Sequence, residues 1–207
     1  MLELPLFPLN TVLFPGMHLP LHIFEERYKE LVADCLPEDR PFAVALIESG
    51  QEVGGTARPH SICTTALIRE VTRLPEGRFN FTAVGQERVR ILDLKMSRPY
   101  LIGLVETARP AGEGSPEAQK NAELLWPWLK RYVSGVSRVV ETNIALPPSL
   151  PDPLTVAYLA PVFLNVPTEE RQALLEIDDV PGLLERERYL LRREIALLRA
   201  MHGLDVC

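Results

Sequence analysis

Two hydrophobic rhythms divide this chain. Through roughly the first half, apolar residues alternate with polar ones or run in short blocks, which is a strand signature; through the rest they recur at three and four positions, which is a helix signature. The chain opens with Leu4-Pro5-Leu6-Phe7-Pro8-Leu9, followed by Phe14-Pro15-Gly16-Met17. Proline fixes φ and removes a backbone donor, so no helix forms here. The apolar residues between the prolines still demand burial. The pattern therefore predicts two short buried strands around a tight Pro15-Gly16 turn, as an edge strand or a strand that closes a barrel. Residues 17–23 read as extended. Phe24, Tyr28, Leu31 and Val32 share a helical face, and Pro37 ends that helix.

The strand rhythm then resumes. Residues 42–47 form a near-continuous apolar run suited to a central strand, and 51–59 read as a glycine-containing loop. Residues 62–74 alternate and are rich in β-branched side chains. Pro75-Glu76-Gly77 reads as a hairpin turn, with glycine where a positive φ is needed. Phe79, Phe81 and Ala83 alternate with Arg78, Asn80 and Thr82, and Gly85 breaks the run. Val89, Ile91, Leu92 and Leu94 continue the sheet, and 100–105 supply a last strand. About six to eight short strands with one early helix predict a small, curved sheet or pseudo-barrel.

The helical rhythm follows a change of composition. Residues 109–116 read as a linker by their proline, glycine and serine content. They end in a helix start: Ser115 as N-cap, Pro116 at the first helical position and Glu117 in the first turn. Leu124, Leu125, Trp128, Leu129, Tyr132 and Val133 punctuate this helix, which Pro127 either kinks or truly begins. Asp152-Pro153 opens a second helix that Pro161 interrupts, and Thr168 caps a third. The fourth starts after Asp178 or Asp179, runs to Met201 and ends at Gly203. Leu184, Leu191, Ile195 and Leu198 form its stripe, widened by Leu183, Leu190 and Leu197. The expected class is α+β: a β subdomain over 1–108, a linker over 109–116 and a helical subdomain over 117–207.

Composition narrows the function. The 207 residues carry a formal net charge of −6. The parts before and after Glu117 are each −3, so neither offers a net-basic footprint for nucleic acid. No run approaches the roughly 18 apolar residues of a membrane span, and the N-terminus lacks a basic leader. Cys35, Cys63 and Cys207 are far apart and never in a Cys-x-x-Cys pair, which suits a reducing cytosol.

Candidate chemistry is thin. His18 and His22 are four apart, but Pro20 between them makes the segment extended, which sets them about 13 Å apart and too far for one ion. Ser134 and Ser137 lie near a helix end without a base, and Cys63 falls on a core strand. No glycine-rich phosphate loop is present. Glu185-Arg186-Glu187-Arg188 and Arg192-Arg193 read as a salt-bridged, solvated helix face. Trp126 and Trp128, flanking Pro127, form a candidate aromatic contact platform. Alternatively, at least one of them packs the joint between the two halves. No catalytic residue, metal ligand or cofactor is nominated.

Several of these motifs, in this order, resemble the N-terminal domain of the ATP-dependent protease Lon, and more closely the short bacterial proteins that consist of that domain alone. The opening matches through residues 4–9, Phe14-Pro15-Gly16, Pro20-Leu21 and Ile23-Phe24-Glu25-Glu26-Arg27-Tyr28. The family's Gly-Thr-x-Ala-x-Ile strand appears as Thr64, Ala66 and Ile68, with Cys63 where glycine is usual. Leu74-Pro75-Glu76-Gly77-Arg78 and Gly85-Gln86-Glu87-Arg88-Val89-Arg90-Ile91 also fit. The resemblance implies a PUA-like pseudo-barrel followed by a helical bundle. It further implies a non-catalytic, cytoplasmic module that binds unfolded or partner polypeptides. The family's ATPase P-loop and Ser-Lys protease parts have no counterpart here. Phe14, Pro15, Gly16, Met17, Trp126 and Trp128 are the expected protein-binding residues. A small-molecule sensor or enzyme using a cleft between the subdomains is the alternative reading, and RNA binding through the PUA-like fold a further one.

Overall fold

A computed structural model describes residues 1–51 and 57–202. Most of the loop expected over 51–59, with Gly203 and Cys207, lies outside the described residues. The chain divides into two compact units, Met1–Arg109 and Pro110–Cys207.

Among the described residues the first unit is built on seven strands: β1 (Leu2–Leu9), β2 (His18–Ile23), β3 (Phe42–Ser49), β4 (Arg58–Pro59), β5 (Ile62–Arg73), β6 (Phe79–Lys95) and β7 (Leu101–Thr107). Helix α1 (Glu26–Cys35) falls between β2 and β3. β1 changes partner midway. Leu2–Leu6 run antiparallel to β7, and Leu6–Leu9 run parallel to β3. Pro5 and Pro8 thus each have a paired neighbour on one side, where a missing N–H need cost no ladder bond. The partner change also closes the circuit β1–β7–β6–β5–β3–β1, with β2 laid on β6 and β4 on β3. β1 is therefore the closing strand of the two options the sequence left open.

Strand alternation sorts the side chains into two clusters. Leu4, Leu6, Ala43, Ala45, Cys63, Val89 and Val105 form one. Phe7, Phe42, Val44, Ala66, Ile68, Phe81 and Ala83 join Tyr28, Leu31, Val32 and Cys35 of α1 in the other. Burying Leu31 and Val32 contributes about 1.5–3 kcal/mol each. Phe24 stands apart from that helix face. It precedes α1 and is exposed, its ring centroid 6.1 Å from that of His22.

Gly85 departs from expectation, while the Pro75-Glu76-Gly77 turn has its expected positive-φ glycine. Gly85 does not interrupt the sheet; β6 runs through it for 17 residues. In the turn before β6, both Glu76 (φ 62°) and Gly77 (φ 68°) take the left-handed conformation.

The second unit contains α2 (Pro116–Val139), α3 (Pro153–Phe163), α4 (Thr168–Leu175) and α5 (Val180–His202). Ser115 Oγ accepts from Ala118 N at 3.1 Å, and Asp152 Oδ1 accepts from Thr155 N at 3.0 Å. Pro127 and Pro161 both lie inside continuous helices, so neither begins or interrupts one. The N-cap of α4 is Pro167, one residue before the expected Thr168. Ala111, expected in a linker, is pinned to the entry of α5: its N–H donates to Asp178 O at 2.7 Å, and Val180 N donates back to Ala111 O at 2.9 Å.

Leu125, Leu129 and Val133 of α2, Val156 and Ala160 of α3, and Leu183, Leu184, Leu191 and Ile195 of α5 are buried. Leu197 is exposed. Arg193 grips Glu170 of α4 with two hydrogen bonds of 3.0 and 3.1 Å. Glu187 breaks the expectation of a solvated face: it is completely buried, and neither carboxylate oxygen has a hydrogen-bond partner among the described residues. Its position between Leu183, Leu184, Leu190 and Leu191 places it on the inward stripe of α5.

Candidate functional site

The turn singled out by the sequence is well formed. Met17 N donates to Phe14 O at 3.0 Å, Pro15 supplies a fixed φ, and Gly16 has φ 77°. Two further bonds fasten it to β6: Gly16 N to Gly85 O and Gly85 N to Met17 O, both 2.9 Å. Thr64 Oγ1, completely buried, donates to Leu13 O at 2.6 Å just upstream. The turn hides its largest side chain. Phe14 is completely buried, Pro15 and Met17 are half-buried, and Gly16 is exposed. Phe14 is thus a core anchor rather than a contact residue, because the turn is folded down onto Gly85 instead of standing away from the sheet.

The two tryptophans also part company. Successive residues step 100° around an α-helix, so Trp126 and Trp128 point to nearly opposite sides of α2. Trp126 is buried with Leu125 and Leu129, with Lys130 Nζ 5.9 Å from its ring centroid. Trp128 is half-buried, with the guanidinium carbons of Arg131 and Arg192 at 5.5 and 5.3 Å from its ring. They form no joint platform.

His18 and His22 are exposed on β2, and His22 Nδ1 bonds to Asn80 Oδ1 at 2.6 Å. Ser134 is exposed on α2, and Ser137 Oγ accepts from Ile144 N at 3.3 Å. Cys35 and Cys63 are buried, and burial pushes their thiols up to about 11 and about 12. Both therefore stay protonated, as poor nucleophiles, at neutral pH.

The resemblance motif around Gly85 has a structural meaning. Gly85 receives the Phe14 turn. Arg88, three residues on, is buried, and its guanidinium donates to Ala108 O at 2.6 Å while Ala108 N donates to Arg88 O at 3.0 Å. Glycine and arginine thus hold the start and the end of the first unit to the same strand.

Sequence reasoning missed a depression of about 440 Å³ in that unit. Leu2 and Leu4 of β1, Thr65 and Leu67 of β5, Glu87 and Val89 of β6, and Val105 and Glu106 of β7 line it, together with Met1 and Pro41. Leu4, Val89 and Val105 belong to the first hydrophobic cluster, so the depression opens onto that cluster. No basic side chain lines it among the described residues. What it offers a ligand is apolar contact, two carboxylates, hydroxyls and an amide. Most of its residues come from four strands that meet only when the sheet closes, so no local pattern announces it. No helix among the described residues is long and apolar enough to cross a membrane.

Comparison with known proteins places these features. A Lon protease 2 from Herpetosiphon aurantiacus is 30% identical over 99% of this chain and 25% of its own length. One from Myxococcus xanthus is 26% identical over 98% of the chain and 25% of its own. The chain therefore spans about a quarter of the length of the curated relatives it matches. The crystal structure of a Lon N-terminal domain protein from Xanthomonas campestris superposes with a TM-score of 0.65 at 26% identity, covering 90% of this chain and 96% of that one. The N-terminal domain of the Mycobacterium avium complex Lon protease shares the fold, with a TM-score of 0.60 at 19% identity, covering 97% of this chain and 99% of that one. The family model of the substrate-binding domain of the ATP-dependent protease La (Lon) matches residues 3–193, and the chain belongs to that family.

Proposed function

We propose that this chain is a non-catalytic polypeptide-recognition module, engaging unfolded or partner chains that expose apolar side chains. The observation that carries the reading is the depression onto the Leu4, Val89 and Val105 cluster, in a member of a substrate-binding family. An apolar side chain entering it would leave water against the same residues that close the sheet. Its carboxylate rim, Glu87 and Glu106, favours a basic residue beside the apolar one. Apolar recognition of this kind needs shape and exposed area rather than a reactive group.

Fluorescence anisotropy with a fluorescein-labelled leucine- and arginine-containing peptide tests it. Burying one leucine contributes about 1.5–3 kcal/mol, so Leu2→Asp, an exposed lining position, is expected to weaken binding about tenfold or more. Leu197→Asp, on the exposed face of α5, is expected to leave binding unchanged. Equal binding by wild type and Leu2→Asp would remove the depression from the mechanism.

A further inference from the structure

The second unit carries a cationic cluster that the apolar reading does not use. Arg131 of α2 and Arg192 of α5 both stand over Trp128, and Lys130 is adjacent and exposed. Arg188 lies one turn before Arg192 on the same side of α5. Beside the ring is a shallow depression of about 500 Å³, lined by Pro127, Trp128, Lys130, Arg131 and Ser134.

The charges in this cluster are not neutralised. Among the described residues, Lys130, Arg131, Arg188 and Arg192 have no carboxylate within ion-pair distance. Neighbouring arginines are treated differently: Arg193 is paired with Glu170 and Glu194, and Arg186 approaches Glu170. The unpaired cations stand out because residues from Glu117 onward carry three more acidic than basic side chains. An aromatic ring holds a guanidinium in place through its π face without cancelling its charge. A guanidinium held that way keeps its in-plane N–H groups available, and those groups match a carboxylate as a fork.

The geometry points to this Trp128 cluster as a docking site for a short acidic polypeptide segment, with an apolar or aromatic residue seated over Pro127 and Trp128. Carboxylates of the segment engage Arg131 and Arg192. Glu185 lies one turn before Arg188 on α5 and bounds the cluster on that side. A few peptide carboxylates fit the cluster. A nucleic acid draws its affinity from many phosphate contacts, and the net-acidic balance of the residues from Glu117 onward disfavours it.

The site belongs to the second unit and the depression lined by Leu2 and Leu67 to the first, and the two share no residue, so the two readings fail independently. The experiment measures anisotropy of a fluorescein-labelled Glu-Glu-Phe-Glu-Glu peptide, against its glutamine counterpart and a labelled oligothymidine. Wild type is expected to prefer the acidic peptide, with affinity falling as salt rises. Arg192→Glu and Arg131→Glu are each expected to weaken it about tenfold or more, while leaving the leucine-arginine peptide bound. Leu2→Asp is expected to leave the acidic peptide bound. Arg192→Gln serves as the milder variant, with an intermediate loss expected, and circular dichroism verifies the fold of each. Equal affinity for the acidic and glutamine peptides, undiminished binding by folded Arg192→Glu, or preference for oligothymidine would each overturn the proposal.

Discussion

A Cβ added to Gly85 would lie 2.2 Å from the carbonyl oxygen of Phe14. No real side chain tolerates that distance, and the obstacle is backbone held by hydrogen bonds on either side of Gly16. Gly85→Ala must therefore push the Phe14 turn off β6, losing turn bonds and loosening a completely buried phenylalanine. We expect a loss of about 3 kcal/mol in urea unfolding of the first unit. Gly114→Ala, where an added Cβ meets nothing within 4 Å, is the control and should change stability by less than about 0.5 kcal/mol.

Arg88 is expected to behave as a structural pin. Its side chain keeps the apolar stem in the protein while the guanidinium satisfies Ala108 O. Arg88→Met preserves the stem and removes the charged donor. The expected cost is about 1.5–3 kcal/mol, read as a lowered unfolding midpoint. A stability equal to wild type would show that water satisfies that carbonyl just as well.

Local patterns in the sequence foretold most elements and few of their meetings. The prolines of the first strand, the strand alternation and the Ser115-Pro116 helix start are local chemistry, and the structure follows them, whereas Pro127 and Pro161 are absorbed into continuous helices. Gly85 was misleading because a glycine within a strand reads as a break, whereas here it admits a backbone that arrives from far along the chain. Glu187 was equally misleading. Glu-Arg-Glu-Arg looks solvated, yet the 100° helical step carries its third residue onto the buried stripe. Trp126 and Trp128, close in sequence, are separated by the same step. The depression beneath Leu2 and Leu67 was illegible for the opposite reason, since most of its lining is spread over four strands.

Asp152 and Ser115 should contribute comparably to their helices. Ser115→Ala and Asp152→Ala each release a first-turn N–H, at an expected cost of about 1 kcal/mol in thermal or urea unfolding. The two differ in pH response. Hydrogen bonds from the Thr155 hydroxyl and backbone N–H hold the Asp152 carboxyl below its ordinary range. Its contribution is therefore present above the unfolded carboxylate pKa and is lost as pH falls through the lower folded value. The Ser115 contribution should show no such dependence. A Thr155→Val variant should remove the hydroxyl's part of the Asp152 effect and leave the backbone part.

Glu187 should make the second unit less stable as pH rises. Burial raises its carboxyl well above the ordinary range, because the ionised form would sit out of water with no partner among the described residues. Below the unfolded pKa of about 4.3, both states hold the proton and the group is neutral to stability. Above it, the unfolded chain ionises while the folded chain keeps its proton. The folded state then binds more protons, and stability falls by about 1.4 kcal/mol per pH unit until the raised folded pKa is reached. Glu187→Gln keeps the shape and a polar group but cannot ionise. It should match wild type near pH 4 and exceed it increasingly as pH rises above the unfolded pKa towards the raised folded one, with a flatter profile. Glu187→Leu should be more stable still, since the inward stripe of α5 would then carry no buried polar group at this position. Urea titrations at several pH values, followed by helical circular dichroism, read all three chains. Parallel profiles for wild type and Glu187→Gln would mean that the carboxylate is ionised and satisfied in the folded state.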